Sequence, residues 1–256
     1  MNRRLADPVR RAVRAGRAYS KALMPLPLGR LPEFLIIGGQ RCGTTSLYRY
    51  LAAHPSVRAA TGKELQYFSL HAGRGERWYR AHFPVRPPGV LSFEASPYYL
   101  FDPEVPARVA AALPEARFVA LVRDPAERAY SHYLHSVSYG VEPLSFADAL
   151  DAEPERLRAG GHEARRRFSY AARGRYAEQL ARWHAAVGRE RVLVLRTEEL
   201  TARYADVLAF LGLPDAPVPQ RRHTRRPAGA PPLDPALRAR LDAEFAADQA
   251  ALSTML

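Results

Sequence analysis

The stretch FLIIGGQRCGTTSLYRYL, residues 34–51, decides the fold of this chain. It begins with the apolar run 34–37, which has the length of a buried strand, and continues through a glycine-containing loop. Leu47, Tyr50 and Leu51 then recur at helical spacing, so we expect a helix after the loop. In such a strand–loop–helix unit, backbone N–H groups of the loop and of the first helical turn form a cradle for an anion. The stretch therefore predicts a phosphate-binding loop in an α/β fold.

The loop is a variant of the P-loop pattern G-x-x-x-x-G-K-[ST]. Gly38 and Gly43 have the required spacing, but Thr44 occupies the position of the lysine, and Arg41 is the cation that replaces it. The hydroxyl donors that follow are Thr44, Thr45 and Ser46. A structural glycine-rich turn is the alternative to phosphate binding. The missing lysine disfavours a P-loop kinase, in which that side chain reaches the β- and γ-phosphates.

The rest of the chain alternates short apolar runs with helical patterns. The strands expected besides the first are 91–94, 118–122 and 191–195, and the helices are 106–113, 176–187, 204–211, 235–251 and one opened by Asp124-Pro125. This alternation predicts a mainly parallel central sheet with helices on both faces. We assign residues 33–256 to one α/β domain and residues 1–32 to a basic N-terminal arm, in which 3–22 could form a helix. Residues 140–170 are the least patterned, and 214–232 are expected to form a loop.

Composition narrows the class of ligand. The 256 residues carry a formal charge of +12, and all but two of the 38 basic residues are arginine, whose planar fork binds phosphate or sulfate bidentately. A nucleic-acid-binding module is the alternative to an enzyme. The arginines are dispersed along the chain, which disfavours such a module. The single cysteine, Cys42, excludes an internal disulfide framework and a cysteine-rich zinc site, and it suits a cytoplasmic location. No apolar run approaches the ~18 residues of a membrane span, so we expect a soluble protein without a transmembrane segment.

A second anion-binding motif follows the apolar strand 118–122. It reads RDPAERAYSHY, residues 123–133, and begins at the carboxyl end of the strand, where α/β sheets place their ligands. Ser131 lies two turns into the helix, on a face that can return toward a ligand of Arg123. The alternative is a helix cap with a surface pair of Glu127 and Arg128.

Together, residues 41–47 and 123–133 resemble the two phosphate motifs of sulfotransferases that use 3′-phosphoadenosine 5′-phosphosulfate (PAPS), closest to the heparan-type and bacterial carbohydrate branch. The resemblance implies a P-loop-NTPase-like sulfotransferase fold, PAPS as donor, adenosine 3′,5′-bisphosphate as product and no metal. By this resemblance, Arg123 and Ser131 bind the 3′-phosphate. The residues expected to hold the 5′-phosphosulfate are Gln40, Arg41, Cys42, Gly43, Thr44, Thr45 and Ser46.

Two further segments resemble the acceptor side of the family, residues 63–68 and 93–99. In the second, Glu94 is predicted to be the general base. Its alternative role is to pair with one of the many arginines. Ala95 follows it where relatives often have lysine, so Lys63 or an arginine is expected to supply the active-site charge, and Arg41 and Lys63 are predicted to be catalytic. The two histidines considered as other bases, His132 and His54, are expected to be structural.

Two more segments resemble the nucleotide side. Tyr176, in the sequence Gly174-Arg175-Tyr176, is predicted to lie near the nucleotide. Arg225 and Arg226 are predicted to belong to a basic loop that closes over the donor, although Ala230 stands where the family has tyrosine.

The sequence thus predicts transfer of a sulfuryl group from PAPS, by in-line attack, to a hydroxyl or amine of a small molecule or glycan. Residues 140–170 and the N-terminal arm are expected to shape the acceptor site. The identity of the acceptor and the oligomeric state stay open, with a homodimer as one option.

Overall fold

The structure is a computed structural model, and it describes residues 28–219 and 231–256. The helix expected within residues 3–22 and the basic loop with Arg225 and Arg226 lie outside the described residues.

Five parallel strands form the central sheet, in the order β2-β3-β1-β4-β5. Their bounds are β1 Phe34–Gly38, β2 Val57–Ala59, β3 Leu91–Ala95, β4 Arg117–Val122 and β5 Val192–Arg196. β1 lies at the centre, where Leu35 is in register with Glu94 of β3 and with Phe118 of β4. All residues of β1 are buried, as expected for a central strand of a parallel sheet. The predicted fold class is confirmed, and β2 is a strand that the sequence pattern did not indicate.

Nine α-helices flank this sheet in the described part of the chain. They are α1 Thr44–Ala52, α2 Gly75–Arg80, α3 Val105–Ala112, α4 Pro125–Ser138, α5 Phe146–Ala159, α6 Gly161–Phe168, α7 Tyr176–Val187, α8 Tyr204–Leu211 and α9 Pro235–Ser253. The cap predicted for α4 is confirmed, because the side chain of Asp124 accepts the N–H of Glu127 at 2.8 Å and Pro125 occupies the first turn.

Residues 140–170 are more regular than their pattern indicated, since α5 and α6 occupy most of them. Ser145 caps α5 by accepting the N–H of Asp148, and the buried face of α5 is short. In α6, Ala164 is the one buried residue, and the helix surface carries an ion pair between Glu163 and Arg166. The buried stripe is short in α5 and is a single residue in α6, which is why hydrophobic periodicity missed them.

The core has two parts. The larger part covers the sheet, where Phe34 of β1 stacks on Phe93 of β3 with ring centroids 4.9 Å apart. The smaller part joins α4, α5 and α9, including Tyr130, Phe146 and Phe245. Because the strands are parallel, the loops after β1, β3, β4 and β5 meet at one edge of the sheet. Within the residues described, no helix is both long enough and apolar enough to cross a membrane.

Candidate active site

A cleft of about 990 Å³ lies at the carboxyl ends of the strands. Most of the residues predicted to bind the donor or to act in catalysis line it. They are Gln40, Arg41, Gly43, Thr44, Thr45, Ser46, Lys63, Arg123 and Ser131. Two motifs separated by some eighty residues in the chain therefore share one cavity.

The phosphate loop is fastened to the neighbouring strands from behind. The N–H of Gly39 donates to the carbonyl of Leu121 in β4 at 2.6 Å. The hydroxyl of Thr197, directly after β5, lies 2.8 Å from the carbonyl oxygen of Cys42 and 2.9 Å from that of Val122. Gly43 has φ of +82°, a left-handed conformation that favours glycine, and it opens α1. The first N–H groups of α1 have no partner within the helix. They therefore present the positive end of the helix dipole to the cleft.

Arg41 joins the two motifs directly. Its Nε donates to the Oγ of Ser131 at 3.1 Å, across 90 residues of sequence. Arg123, at the end of β4, lines the same cleft and contacts Glu127 at 3.3 Å. The surface pair considered for Glu127 and Arg128 is wrong, because Arg128 is fully buried and donates to the carbonyl of Tyr170. Two guanidinium groups and a set of hydroxyls thus surround space for a ligand with more than one anionic group.

Two residues expected at the nucleotide lie behind the loop instead. Cys42 and Tyr176 are fully buried, and the Cys42 sulfur lies 3.3 Å from the Tyr176 hydroxyl. Neither belongs to the described lining of the cleft. Burial raises the pKa of the Cys42 thiol, which keeps it neutral. We therefore correct the prediction for both side chains: they support the loop from the core side, where a donor does not reach them.

Glu94 also lies away from the cleft. Its carboxylate is fully buried and accepts hydrogen bonds from Tyr79 at 2.9 Å, Tyr99 at 2.8 Å and Ser96 at 2.8 Å. Burial raises the pKa of Glu94, and these hydrogen bonds oppose the rise. A carboxylate surrounded in this way has no open face for an acceptor. The prediction that Glu94 takes up the acceptor's proton is corrected, and its alternative pairing with an arginine is not what the structure shows either.

The network around Glu94 holds the preceding loop, residues 64–68. The Ser96 hydroxyl accepts the N–H of Gln66 at 3.0 Å, and the Tyr99 hydroxyl accepts the N–H of Phe68 at 3.2 Å. The N–H of Leu65 donates to the Glu94 carboxylate itself. The N–H of Glu64 donates to the carbonyl of Ala95 at 2.8 Å. The end of β3 thereby binds the backbone of this loop at four positions.

Two residues of this loop line the cleft, Gln66 and Glu64, and the one that can accept a proton is Glu64. Its side chain is 38% exposed, lines the cleft, and lies 3.1 Å from the ammonium of Lys63. Glu64 and Gln66 have φ of +64° and +55°, a left-handed conformation that costs a non-glycine residue roughly 1–2 kcal/mol. Strain of this kind persists where surrounding contacts determine the backbone, which the four hydrogen bonds do.

The lining of the cleft also includes groups that the sequence did not single out as site residues. They are Tyr98, Arg166, Arg167, Arg173 and Thr197. His132 also lines the cleft, whereas His54 packs elsewhere, with a ring nitrogen 3.0 Å from the carbonyl of Pro214. Arg166 and Arg167 bring part of the 140–170 region to the site, as expected. Thr197 was detectable, because it follows a strand at its carboxyl end just as Arg123 does. Arg173 does not directly follow a strand, so its position in the sequence gave no such indication.

The sequence model described as the sulfotransferase domain matches residues 31–225. Among curated proteins, the human bifunctional heparan sulfate N-deacetylase/N-sulfotransferase 3 is 34% identical over 200 residues, which cover 72% of this chain and 22% of that protein. The mouse enzyme 1 of the same name is 35% identical over 205 residues, with the same coverage of 72% and 22%. The chain therefore spans about a fifth of the length of these relatives.

Among solved structures, a sulfotransferase from Alicyclobacillus acidocaldarius superposes with a TM-score of 0.77 at 34% identity, covering 88% of this chain and 96% of that one. The sulfotransferase domain of the Synechococcus PCC 7002 olefin synthase superposes with a TM-score of 0.50 at 17% identity, covering 85% of this chain and 89% of that one. The second likeness concerns the fold alone.

Proposed function

This chain belongs to the sulfotransferase family, whose donor is PAPS, and we propose that the cleft binds this donor and sulfonates a hydroxyl or amine of a small molecule or glycan. The observation that carries the proposal is the hydrogen bond between Arg41 and Ser131, which unites the two phosphate motifs in one cavity. The hydrogen-bonding groups of the cleft suit PAPS. This ligand has phosphates at two positions of its ribose, and the cleft offers a guanidinium and hydroxyls at each motif. A kinase would need the P-loop lysine that is replaced by Thr44.

When bound, PAPS supplies a sulfuryl group on a 5′-phosphate leaving group. The residues that would hold this end are Gln40, Arg41, Gly43, Thr44, Thr45 and Ser46, and those for the 3′-phosphate are Arg123 and Ser131. Arg41 and the N-terminal end of α1 place positive charge where negative charge develops during transfer. Preorganised charge and N–H donors of this kind stabilise a transition state without reorganising.

Glu64 is the general base in this proposal. Its carboxylate faces the cleft and can accept the proton of an acceptor hydroxyl as that oxygen attacks, which contributes roughly 10²–10⁴-fold to the rate. Lys63, whose ammonium lies 3.1 Å from the Glu64 carboxylate, adds a cation beside the sulfonate oxygens. Glu94 holds the loop that presents Glu64 and does not itself touch the acceptor.

Ligand-induced stabilisation tests the donor assignment. Adenosine 3′,5′-bisphosphate without Mg²⁺ should raise the melting temperature more than AMP or ATP, because it alone fills both motifs. At one hundred times its dissociation constant a ligand stabilises by about 2.7 kcal/mol. In Arg123→Met, the bisphosphate should raise the melting temperature no more than AMP does, while the rise caused by AMP should remain. Equal shifts for the bisphosphate and AMP in the wild type would refute the 3′-phosphate site.

Several predictions from the sequence remain proposals. We retain a cytoplasmic location, a homodimer as one option for the oligomeric state, and a domain over residues 33–256 preceded by a basic arm.

A further inference from the structure

Arg173 is a buried cation whose hydrogen-bonding capacity is only partly used. It is 4% exposed and lines the cleft. Its Nη2 donates to the carbonyls of Arg165 at 3.0 Å and Arg166 at 2.9 Å, which carry no formal charge. Its Nε and Nη1 find no hydrogen-bond partner among residues 28–219 and 231–256. A buried charge is costly unless it is paired, so this arrangement requires a reason.

Three other buried polar atoms of residues that line the same cleft are in the same condition, and one of them, Oε1 of Gln40, belongs to the phosphate loop. Neither the hydroxyl of Tyr98 nor the Nδ1 of His132 has a hydrogen-bond partner in the described part of the chain. Both residues line the cleft and are 4% and 3% exposed. The ring of Tyr98 lies 4.9 Å from the guanidinium carbon of Arg173. Buried polar groups are normally paired, so a group of unpaired ones around one cavity indicates a ligand that completes them.

The charges of the surrounding residues indicate the sign of the charge on that ligand. Burial, together with the charge of Arg128, lowers the pKa of Arg173 to about 9, which leaves the guanidinium charged at neutral pH. Burial, then Arg173 and Arg128, lower the pKa of His132 well below its usual value. The neutral imidazole can still donate from Nδ1. Arg166 also lines the cleft nearby. The surroundings are rich in positive charge, and an anion would offset it.

The position of these groups assigns the anion to the acceptor. The predicted donor residues follow β1 and β4, and His132 lies on α4 beside one of them, Ser131. Tyr98 instead follows β3, the strand whose Ala95 binds the N–H of Glu64. The stack of Tyr98 on Arg173 therefore lies on the side of the cleft where the base is presented.

We propose that Arg173, Tyr98 and His132 form a subsite for an anionic group, a carboxylate or a sulfate, that the acceptor carries near the group to be sulfonated. This inference rests on the proposed function for the acceptor's role. The anion site itself follows from the unpaired buried groups.

The test uses inorganic sulfate as the probe, added to the full chain saturated with adenosine 3′,5′-bisphosphate, against sodium chloride of equal ionic strength. At ten times its dissociation constant, bound sulfate should raise the melting temperature by roughly 3–6 °C. Tyr98→Phe should melt no lower than the wild type without sulfate, because its hydroxyl has no partner to lose. It should bind sulfate roughly tenfold more weakly or worse.

Two further variants separate the outcomes. Tyr139→Phe makes the same change at an exposed position of the same cleft and should keep the sulfate response, including the general stabilisation that sulfate gives any protein. Arg173→Met should lose the response beyond that general effect and keep its preference for the bisphosphate over AMP. If both Tyr98→Phe and Arg173→Met respond like the wild type, there is no anion subsite. If Arg173→Met instead loses the preference for the bisphosphate, Arg173 binds the donor's 3′-phosphate and the acceptor assignment is wrong.

Failure of the proposed function would look different. A wild type that does not prefer the bisphosphate over AMP would refute the donor site, and sulfate titration without nucleotide would still test Tyr98 and Arg173.

Discussion

Glu64 and Glu94 lie on two segments that contact each other in the fold. Replacing Glu64 by glutamine should reduce activity, whereas replacing Glu94 by glutamine should reduce stability. Glu64→Gln keeps the shape of the side chain but cannot accept a proton. We expect the transfer step to fall roughly 10²–10⁴-fold, which corresponds to about 2.7–5.4 kcal/mol of activation free energy. Glu64 is partly exposed, and among the described residues its carboxylate forms an ion pair with Lys63 alone, so the free energy of unfolding should change by at most about 1 kcal/mol.

Glu94→Gln should act mainly on stability. The carboxylate accepts four hydrogen bonds, from the hydroxyls of Tyr79, Tyr99 and Ser96 and from the N–H of Leu65. A bond to a charged acceptor contributes roughly 1 kcal/mol more than one to a neutral amide, so the gross loss is about 4 kcal/mol. Removing the buried charge offsets this loss, as the raised pKa of Glu94 indicates, but the amide NH₂ cannot accept the bond that the Ser96 hydroxyl donates to Oε2 and leaves buried donors unpaired. The net loss of about 2–3 kcal/mol should lower the melting temperature by roughly 4–12 °C.

Three measurements on one preparation distinguish the roles: bisphosphate affinity, melting temperature, and the pH profile of single-turnover transfer from labelled PAPS to an acceptor that the wild type sulfonates. A general base must be deprotonated, so the wild-type rate should fall at acidic pH. Glu94→Gln should keep this acidic limb, with a reduced rate because the loop of Glu64 is held less well. Glu64→Gln should lose the limb. Near-normal transfer by folded Glu64→Gln, or loss of the limb in Glu94→Gln alone, would refute this assignment.

Two further predictions concern the cleft. Arg41→Ala should weaken bisphosphate binding roughly ten- to a hundredfold, because it removes a charge-assisted contact. Arg41→Lys should retain much of the affinity. Calorimetry measures both, and an unchanged affinity in Arg41→Ala would contradict the role of Arg41. Since the pKa of His132 is lower in the folded state than the unfolded value near 6.5, the unfolded state binds the extra proton, and stability should be lost as the pH falls below about 6.5. Chemical denaturation should show this loss with a slope of at most about 1.4 kcal/mol per pH unit for this group, and His132→Phe should have a flatter profile than the wild type.

The fold was accessible from the sequence because its signals are local. The apolar run of β1, the glycine at 43 that opens α1 and the Asp124-Pro125 cap each act through neighbouring residues. The short β2 and the helices α5 and α6 were not accessible in the same way. A three-residue strand has almost no pattern of its own, and the buried stripe is short in α5 and is a single residue in α6.

The sequence by itself determined the chemistry of the proposed donor site, because its residues follow strand ends in two compact motifs and a parallel sheet must bring those ends together. Only the tertiary structure decided which side chains reach the cleft. Glu64 and Glu94 lie in equally suggestive segments, yet hydroxyls from distant positions enclose Glu94 and the strained backbone at Glu64 turns its carboxylate outward. The unpaired guanidinium of Arg173 is likewise invisible in the sequence. Burial and hydrogen-bond satisfaction depend on contacts between residues far apart in the chain, and no local pattern records them.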